Sequence, residues 1–221
     1  MSPRTSQLRR HGIEIAAFVA TALLGLAWAM TNPPGAAPDE PSHYVRVVGL
    51  SYGQVFGEPV PQEYFAAEGY RPGVQIEHLR QGAGLYRVPA SAPPPVFCNR
   101  FRPRRPWTCR TPMQPWDGRY VSLHATTPPA SYIVPTIASR LAHTTNRKLL
   151  LARLAYAVQG AFLVSLIVAA LRRLGVGGRP KAVALLSLTF TPLLAFEVGT
   201  IAPNGTETLA IVAFASWLLV A

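Results

Sequence analysis

Apolar residues fall in blocks along this chain, and the blocks have the length of membrane spans. Ile13 to Met30 is an 18-residue run interrupted only by Glu14. At about 1.5 Å per residue a helix of that length crosses most of a hydrocarbon core of about 30 Å. Leu149 to Leu171 forms a second run with Arg153 near its start, and Ala182 to Val198 a third with Pro192 inside it and Glu197 near its end. Thr208 to Ala221 begins a fourth, incomplete one. The pattern predicts an all-α membrane protein of about four transmembrane helices, at 13–31, 149–171, 182–198 and 208–221. Between them lie an N-terminal segment 1–12, a long Pro- and Arg-rich loop 32–148, a polar turn 172–181 and a short connection 199–207. A cleavable signal peptide shares the N-terminal layout, with Ala27-Trp28-Ala29 as a small-x-small site. The apolar run exceeds the usual signal core of about 7 to 15 residues, so the first span is read as an uncleaved anchor.

The loop has predicted elements of its own. Pro33, Pro34 and Pro38 keep the chain extended after the first span. A juxtamembrane helix follows at 41–52: Asp39 or Glu40 caps it, Pro41 fits its first turn, Tyr44, Val47 and Val48 recur at helical spacing, and Gly53 ends it. Eleven prolines between Pro59 and Pro115 exclude long helices and central strands from the next stretch. Its aromatic residues, among them Tyr64, Phe65, Tyr86, Trp116 and Tyr120, read as anchors that pack the loop on the membrane domain, and a short hairpin is expected around Cys98 and Cys109. Pro128 to Ala142 is apolar but short and contains Pro135, which predicts an interfacial or re-entrant helix at 129–142.

Composition agrees with a bilayer as partner. Hydrophobic residues make up 49% and charged ones 14%, and the mean hydropathy of +0.20 is high for a soluble domain. The net charge of +11 raises nucleic acid as a partner, but no nucleic-acid motif is present and juxtamembrane arginines account for much of the excess. Arg4, Arg9 and Arg10 precede the first span, and Arg172, Arg173, Arg179 and Lys181 join the second to the third. An even number of crossings separates the two clusters, so they share a side, which the positive-inside rule makes the cytoplasm. The expected protein is therefore a multi-pass protein of the inner or plasma membrane with a cytoplasmic N-terminus and an extracytoplasmic loop, although Arg140, Arg147 and Lys148 count mildly against that sidedness. In an oxidising compartment the two cysteines, Cys98 and Cys109, are expected to form a disulfide.

Asp39 and Glu40 are the candidate chemical groups, two carboxylates at a helix start just beyond a span, with His43 one turn on from Asp39. A carboxylate there can act as general base for a hydroxyl or help hold a divalent cation. The competing interpretation is structural, with Asp39 an N-cap and Glu40 a first-turn charge favoured by the helix dipole. Arg153 and Glu197 sit in or at the edge of spans, where ionisable groups face a cavity or partner, or snorkel to the interface. His124 reads as a loop residue and not a metal ligand. Asn204-Gly205-Thr206 matches a glycosylation sequon, but its place beside the membrane makes it an unused one.

Four segments in order resemble one family: Pro38 to Val55, Thr127 to Val134, Asn146 to Val158 and Ala202 to Ile211. They are similar to an uncharacterised bacterial, actinobacterial-type family of multi-spanning membrane proteins, the DUF2142 type, which itself looks like part of the GT-C glycosyltransferase superfamily. The resemblance covers nearly the whole chain. It implies the N-terminal part of an integral membrane glycosyltransferase that takes a sugar from a polyprenyl-phosphate donor in cell-envelope glycan assembly. By that likeness Asp39 is the catalytic base and Glu40 supports it, while His43, Arg46, Arg153, Asn204 and Glu207 contact substrate, with arginines meeting the donor phosphate. Two departures stand out: His124 to Pro129 is only loosely similar to the His-Pro-Pro pattern of some GT-C enzymes, and the family has many more spans than about four. The alternative function is a non-enzymatic membrane protein whose outer loop binds an envelope polymer or a protein. A transporter fragment is weaker, because Pro192 is the one clear break within a span.

Overall fold

A computed structural model describes residues 11–35, 37, 39–68, 73–97, 110–175 and 191–221. The Cys98 to Cys109 pairing, the arginines at 4, 9 and 10, most of the polar turn and the first half of the third expected span lie outside the described residues. The chain divides into two compact units, a helical unit of Met1–Thr31 with Arg153–Ala221 and an inserted unit of Asn32–Ala152.

The helical unit contains α1 (Gly12–Thr31) and the larger part of α6 (Thr145–Arg173), the two described helices long and apolar enough to cross a membrane. Polar contacts at both ends set these helices antiparallel. Arg153 Nη1 donates to the carbonyl oxygen of Ala29 at 2.9 Å, and at the opposite end Arg172 Nη1 lies 2.5 Å from Glu14 Oε1. Between the ends, small residues let backbones approach, as helix pairs in lipid require where no hydrophobic effect drives them together. A Cβ on Gly25 would come 2.7 Å from that of Ala157, and one on Gly160 would come 2.8 Å from Val198.

Among the described residues α7 (Pro192–Val198) starts at Pro192, after an extended Thr191 whose hydroxyl caps the Leu194 N–H at 3.2 Å. Proline is tolerated at that position because a first-turn N–H has no intrahelical acceptor to lose. The connection expected at 199–207 is shorter in the structure, since α8 (Pro203–Leu218) begins at a second proline and includes Asn204 to Glu207. Val164, Ile167, Leu194, Val198, Leu209 and Ala213 form the apolar core that α6, α7 and α8 share.

The inserted unit has a core and sheets of its own. At its centre is α2 (Glu40–Ser51), predicted at 41–52 as a juxtamembrane helix and found buried along nearly its whole length. After it come α3 (Gln62–Ala67) and α4 (Val74–Gly82), then four three-residue strands: β1 (Gly84–Tyr86), β2 (Pro95–Phe97), β3 (Arg110–Pro112) and β4 (Tyr120–Ser122). β1 pairs antiparallel with β4, Leu85 opposite Val121, and β2 with β3, Phe97 opposite Arg110. The second pair flanks the cysteine segment where a hairpin was expected. Val60, Phe65, Ile76, Leu85 and Val121 form the apolar core. Gly57 packs directly on Gly84, where a Cβ would come 2.7 Å from the facing Cα. The segment expected to be an interfacial or re-entrant helix consists of a 3-10 turn (Pro129–Tyr132) leading into α5 (Ile133–Arg140).

Candidate functional site

The site forms where α2 meets the chain after β4. Ser42 Oγ accepts the N–H of Leu123 at 2.7 Å and lies 3.4 Å from Ser122 Oγ, while Ser122 Oγ accepts the N–H of His124 at 3.2 Å. These contacts hold the segment after β4 against the start of α2. His124 then stacks on His43, ring centroids 3.9 Å apart and planes inclined by 18°. His43 Nδ1 is hydrogen bonded to the Tyr132 hydroxyl at 2.8 Å. Burial and the neighbouring His124 lower the pKa of His43 to about 3. Burial also lowers that of His124, with the negative charge of Asp39 acting in the opposite direction. Two neutral imidazoles, one bound to a tyrosine and the other in the field of a carboxylate, thus face each other at neutral pH.

The two carboxylates of the expected pair are in different environments. Asp39 occupies the N-cap position but is exposed, with φ 57° and ψ 2°, and its side chain caps nothing. An N-cap side chain reaches the first-turn N–H groups from the extended region, and Pro41 removes one of those donors. The expected cap is therefore absent, and aspartate fits here because it tolerates the left-handed conformation. Glu40 is fully buried, and its Oε2 accepts the Gly35 N–H at 2.9 Å, closing the turn that leads into α2.

Arg46, one helical turn beyond Ser42, is 1% exposed. Its guanidinium donates to the carbonyls of Val55 at 2.5 Å and Thr127 at 3.3 Å and to the Tyr86 hydroxyl, and lies 5.6 Å and 6.0 Å from the ring centroids of Tyr86 and Tyr132. Gly49 leaves the space that the Tyr86 ring fills against α2. Arg46 thus ties the 55–58 stretch, β1 and the segment after β4 to one helix, a structural position for a residue expected to meet substrate.

Arg153, Asn204 and Glu207 belong to the helical unit. Arg153 is buried against the C-terminal end of α1 and does not snorkel, Asn204 is exposed and Glu207 half-buried at the start of α8. Of the expected site residues, the inserted unit brings together Asp39, Glu40, His43 and Arg46. His124 and Tyr132 complete the group, and neither was selected from the sequence. Tyr132 lies inside the Thr127 to Val134 motif and His124 three residues before it, which was the available signal. Among the described residues no three His, Cys, Asp or Glu side chains gather as a metal site.

Burial of His43 is expected to make the inserted unit acid-sensitive. His43 releases its proton more readily in the folded state than at its ordinary pKa of 6.5, so the unfolded chain binds more protons below that value. Its contribution to stability is complete above about pH 6.5 and is lost as pH falls toward about 3. Thermal unfolding in detergent is expected to shift downward between pH 7.5 and pH 4.5. His43→Gln, which keeps a hydrogen-bonding group for Tyr132 but does not titrate, is expected to flatten that shift. Equal pH dependence in the two proteins would contradict the assignment.

Residues 22–221 match the family described as predicted membrane protein (DUF2142). No curated protein and no solved structure matches the chain.

Proposed function

The chain belongs to the DUF2142 family of predicted membrane proteins, and from that premise we propose that it is the N-terminal portion of a GT-C-like membrane glycosyltransferase using a polyprenyl-phosphate-linked sugar in envelope glycan assembly. The observation that carries this reading is the exposed carboxylate of Asp39 beside the stacked His124 and His43. In the proposed step an acceptor hydroxyl loses its proton to Asp39 while its oxygen attacks the sugar's anomeric carbon. The new glycosidic bond forms on the face opposite the donor oxygen, the bond to phosphate breaks, and polyprenyl phosphate leaves with its electron pair. Glu40 acts as a positioning residue through the Gly35 turn. Exposed cations of the inserted unit, Arg87 among them, are better suited to the donor phosphate than the buried Arg46 and Arg153. In this reading the inserted unit faces away from the cytoplasm.

Reconstitution tests it. Full-length protein in liposomes, given a radiolabelled sugar on polyprenyl phosphate and glycan from the protein's own envelope, is expected to transfer label to the glycan. No transfer from any such donor, together with unchanged envelope glycan after gene deletion, would overturn the proposal.

A second reading, glycan binding without catalysis, is favoured by one feature of the inserted unit. A cavity of about 440 Å³ is lined by Tyr52, Gln54, Arg87, Val88 and Pro89, an aromatic ring beside planar polar groups. Gln54 holds its rim, donating to the Arg87 carbonyl at 2.9 Å and accepting the Arg87 N–H at 2.8 Å. Retained glycan binding by a protein that transfers no sugar would support this reading.

A further inference from the structure

The short helix α5 is inside out for a protein surrounded by water. Its inward side carries Pro135, Thr136 and Ser139, all buried. Its outward side carries Ile133, Val134 and Ile137, followed by Leu141 just past the helix end, at 54%, 43%, 59% and 79% exposure. The steps of three and four residues between them place all four on one face. A helix that turns threonine and serine inward and four large aliphatic side chains outward has its apolar stripe fitted to something outside the unit.

We propose that this face lies on the lipid bilayer, with α5 flat in the headgroup region. Continuity of the chain identifies the occupant. α6, a candidate span, begins at Thr145, five residues after α5 ends at Arg140. At no more than about 3.6 Å per residue, that linker cannot carry α5 far from the boundary where α6 enters lipid. The length of α5 excludes a crossing, since eight residues rise about 12 Å against a core of about 30 Å. Charge points the same way: Arg140 and Arg147 are exposed around the junction, where cations meet anionic headgroups. The inward face is held by two further contacts, Lys148 Nζ donating to the Ser139 carbonyl at 3.0 Å and Arg140 Nε to that of Ser51 at 3.0 Å. Tyr132, the partner of His43, immediately precedes α5, so docking also sets the depth of the histidine pair near the headgroups.

Photo-crosslinking in the full-length protein tests the placement. Benzoylphenylalanine is introduced singly at Ile137, at Leu141 and, as a control on an exposed helix of the same unit, at Glu63. Each protein is reconstituted in vesicles of phosphatidylethanolamine and phosphatidylglycerol, irradiated and analysed by mass spectrometry. Phospholipid adducts are expected at Ile137 and Leu141 on the order of tenfold above the Glu63 control. Adducts to another segment of the protein, or lipid adducts no more abundant than at Glu63, would overturn the proposal. A second measurement does not depend on the probe: Ile137→Asp, checked for normal abundance, is expected to lower lipid adducts at Leu141 severalfold, and unchanged adducts would count against a docked face. Because neither readout involves sugar transfer, docking can fail while the proposed activity stands, and the reverse.

Discussion

Asp39→Asn is expected to leave the protein at normal abundance in the membrane and to lower glycan transfer about 10²- to 10⁴-fold, the usual contribution of a general base. The first half of this result follows from the backbone. Asp39 has φ 57° and makes no side-chain cap, so asparagine, the other residue that readily adopts that conformation, loses no hydrogen bond and adds no strain. Serine, an equally good cap in an ordinary helix start, is expected to lower stability by about 1 to 2 kcal/mol here because it enters the left-handed region less easily. The second half follows from chemistry, since an amide cannot take a proton from a hydroxyl near neutral pH. Glu40→Gln, run in parallel, is expected to lower abundance and transfer together, because Glu40 is buried against the Gly35 turn that leads to Asp39. Membrane abundance and labelled glycan, measured together, check both. Normal transfer by Asp39→Asn would remove Asp39 from the mechanism.

Arg46→Ala is expected to have the opposite signature, loss of the protein before any question of activity arises. The substitution leaves the Val55 and Thr127 carbonyls and the Tyr86 hydroxyl without their shared donor, inside a unit where Arg46 is 1% exposed. Each buried acceptor left without its donor costs about 1 to 3 kcal/mol, against about 5 to 15 kcal/mol for the whole stability of a typical domain. Arg46→Lys is expected to rescue little, because one ammonium cannot reproduce a planar fork reaching three acceptors. Limited proteolysis and membrane abundance provide the readout. A protease-resistant, normally abundant Arg46→Ala protein that fails only in transfer would restore Arg46 to substrate binding.

Local chemistry made the helical parts of this protein legible. The candidate span at Gly12–Thr31 follows from an apolar run interrupted only by Glu14, and the start of α2 from Pro41 set behind two carboxylates. Asp117-Gly118 was not singled out from the sequence, yet local chemistry makes it a tight hairpin turn: both residues have positive φ, and Trp116 and Arg119 bond to each other across it. Pro203 was expected in a connection, but proline fits a helix's first turn as well as a loop, and the structure uses it to open α8.

The sequence by itself determined which segments are apolar enough for lipid, where helices can start and which residues could carry a proton. It did not determine which of two adjacent carboxylates faces water, because one residue's rotation about a helix start is set by what packs there. Tertiary structure decided that Glu40 turns in toward Gly35 and Asp39 out, and joined His43 to His124 across eighty residues of proline-rich chain. It also turned the α5 periodicity outward. Periodicity records that a helix has two faces, and only the packed neighbours of Thr136 and Ser139 establish which of them the unit encloses.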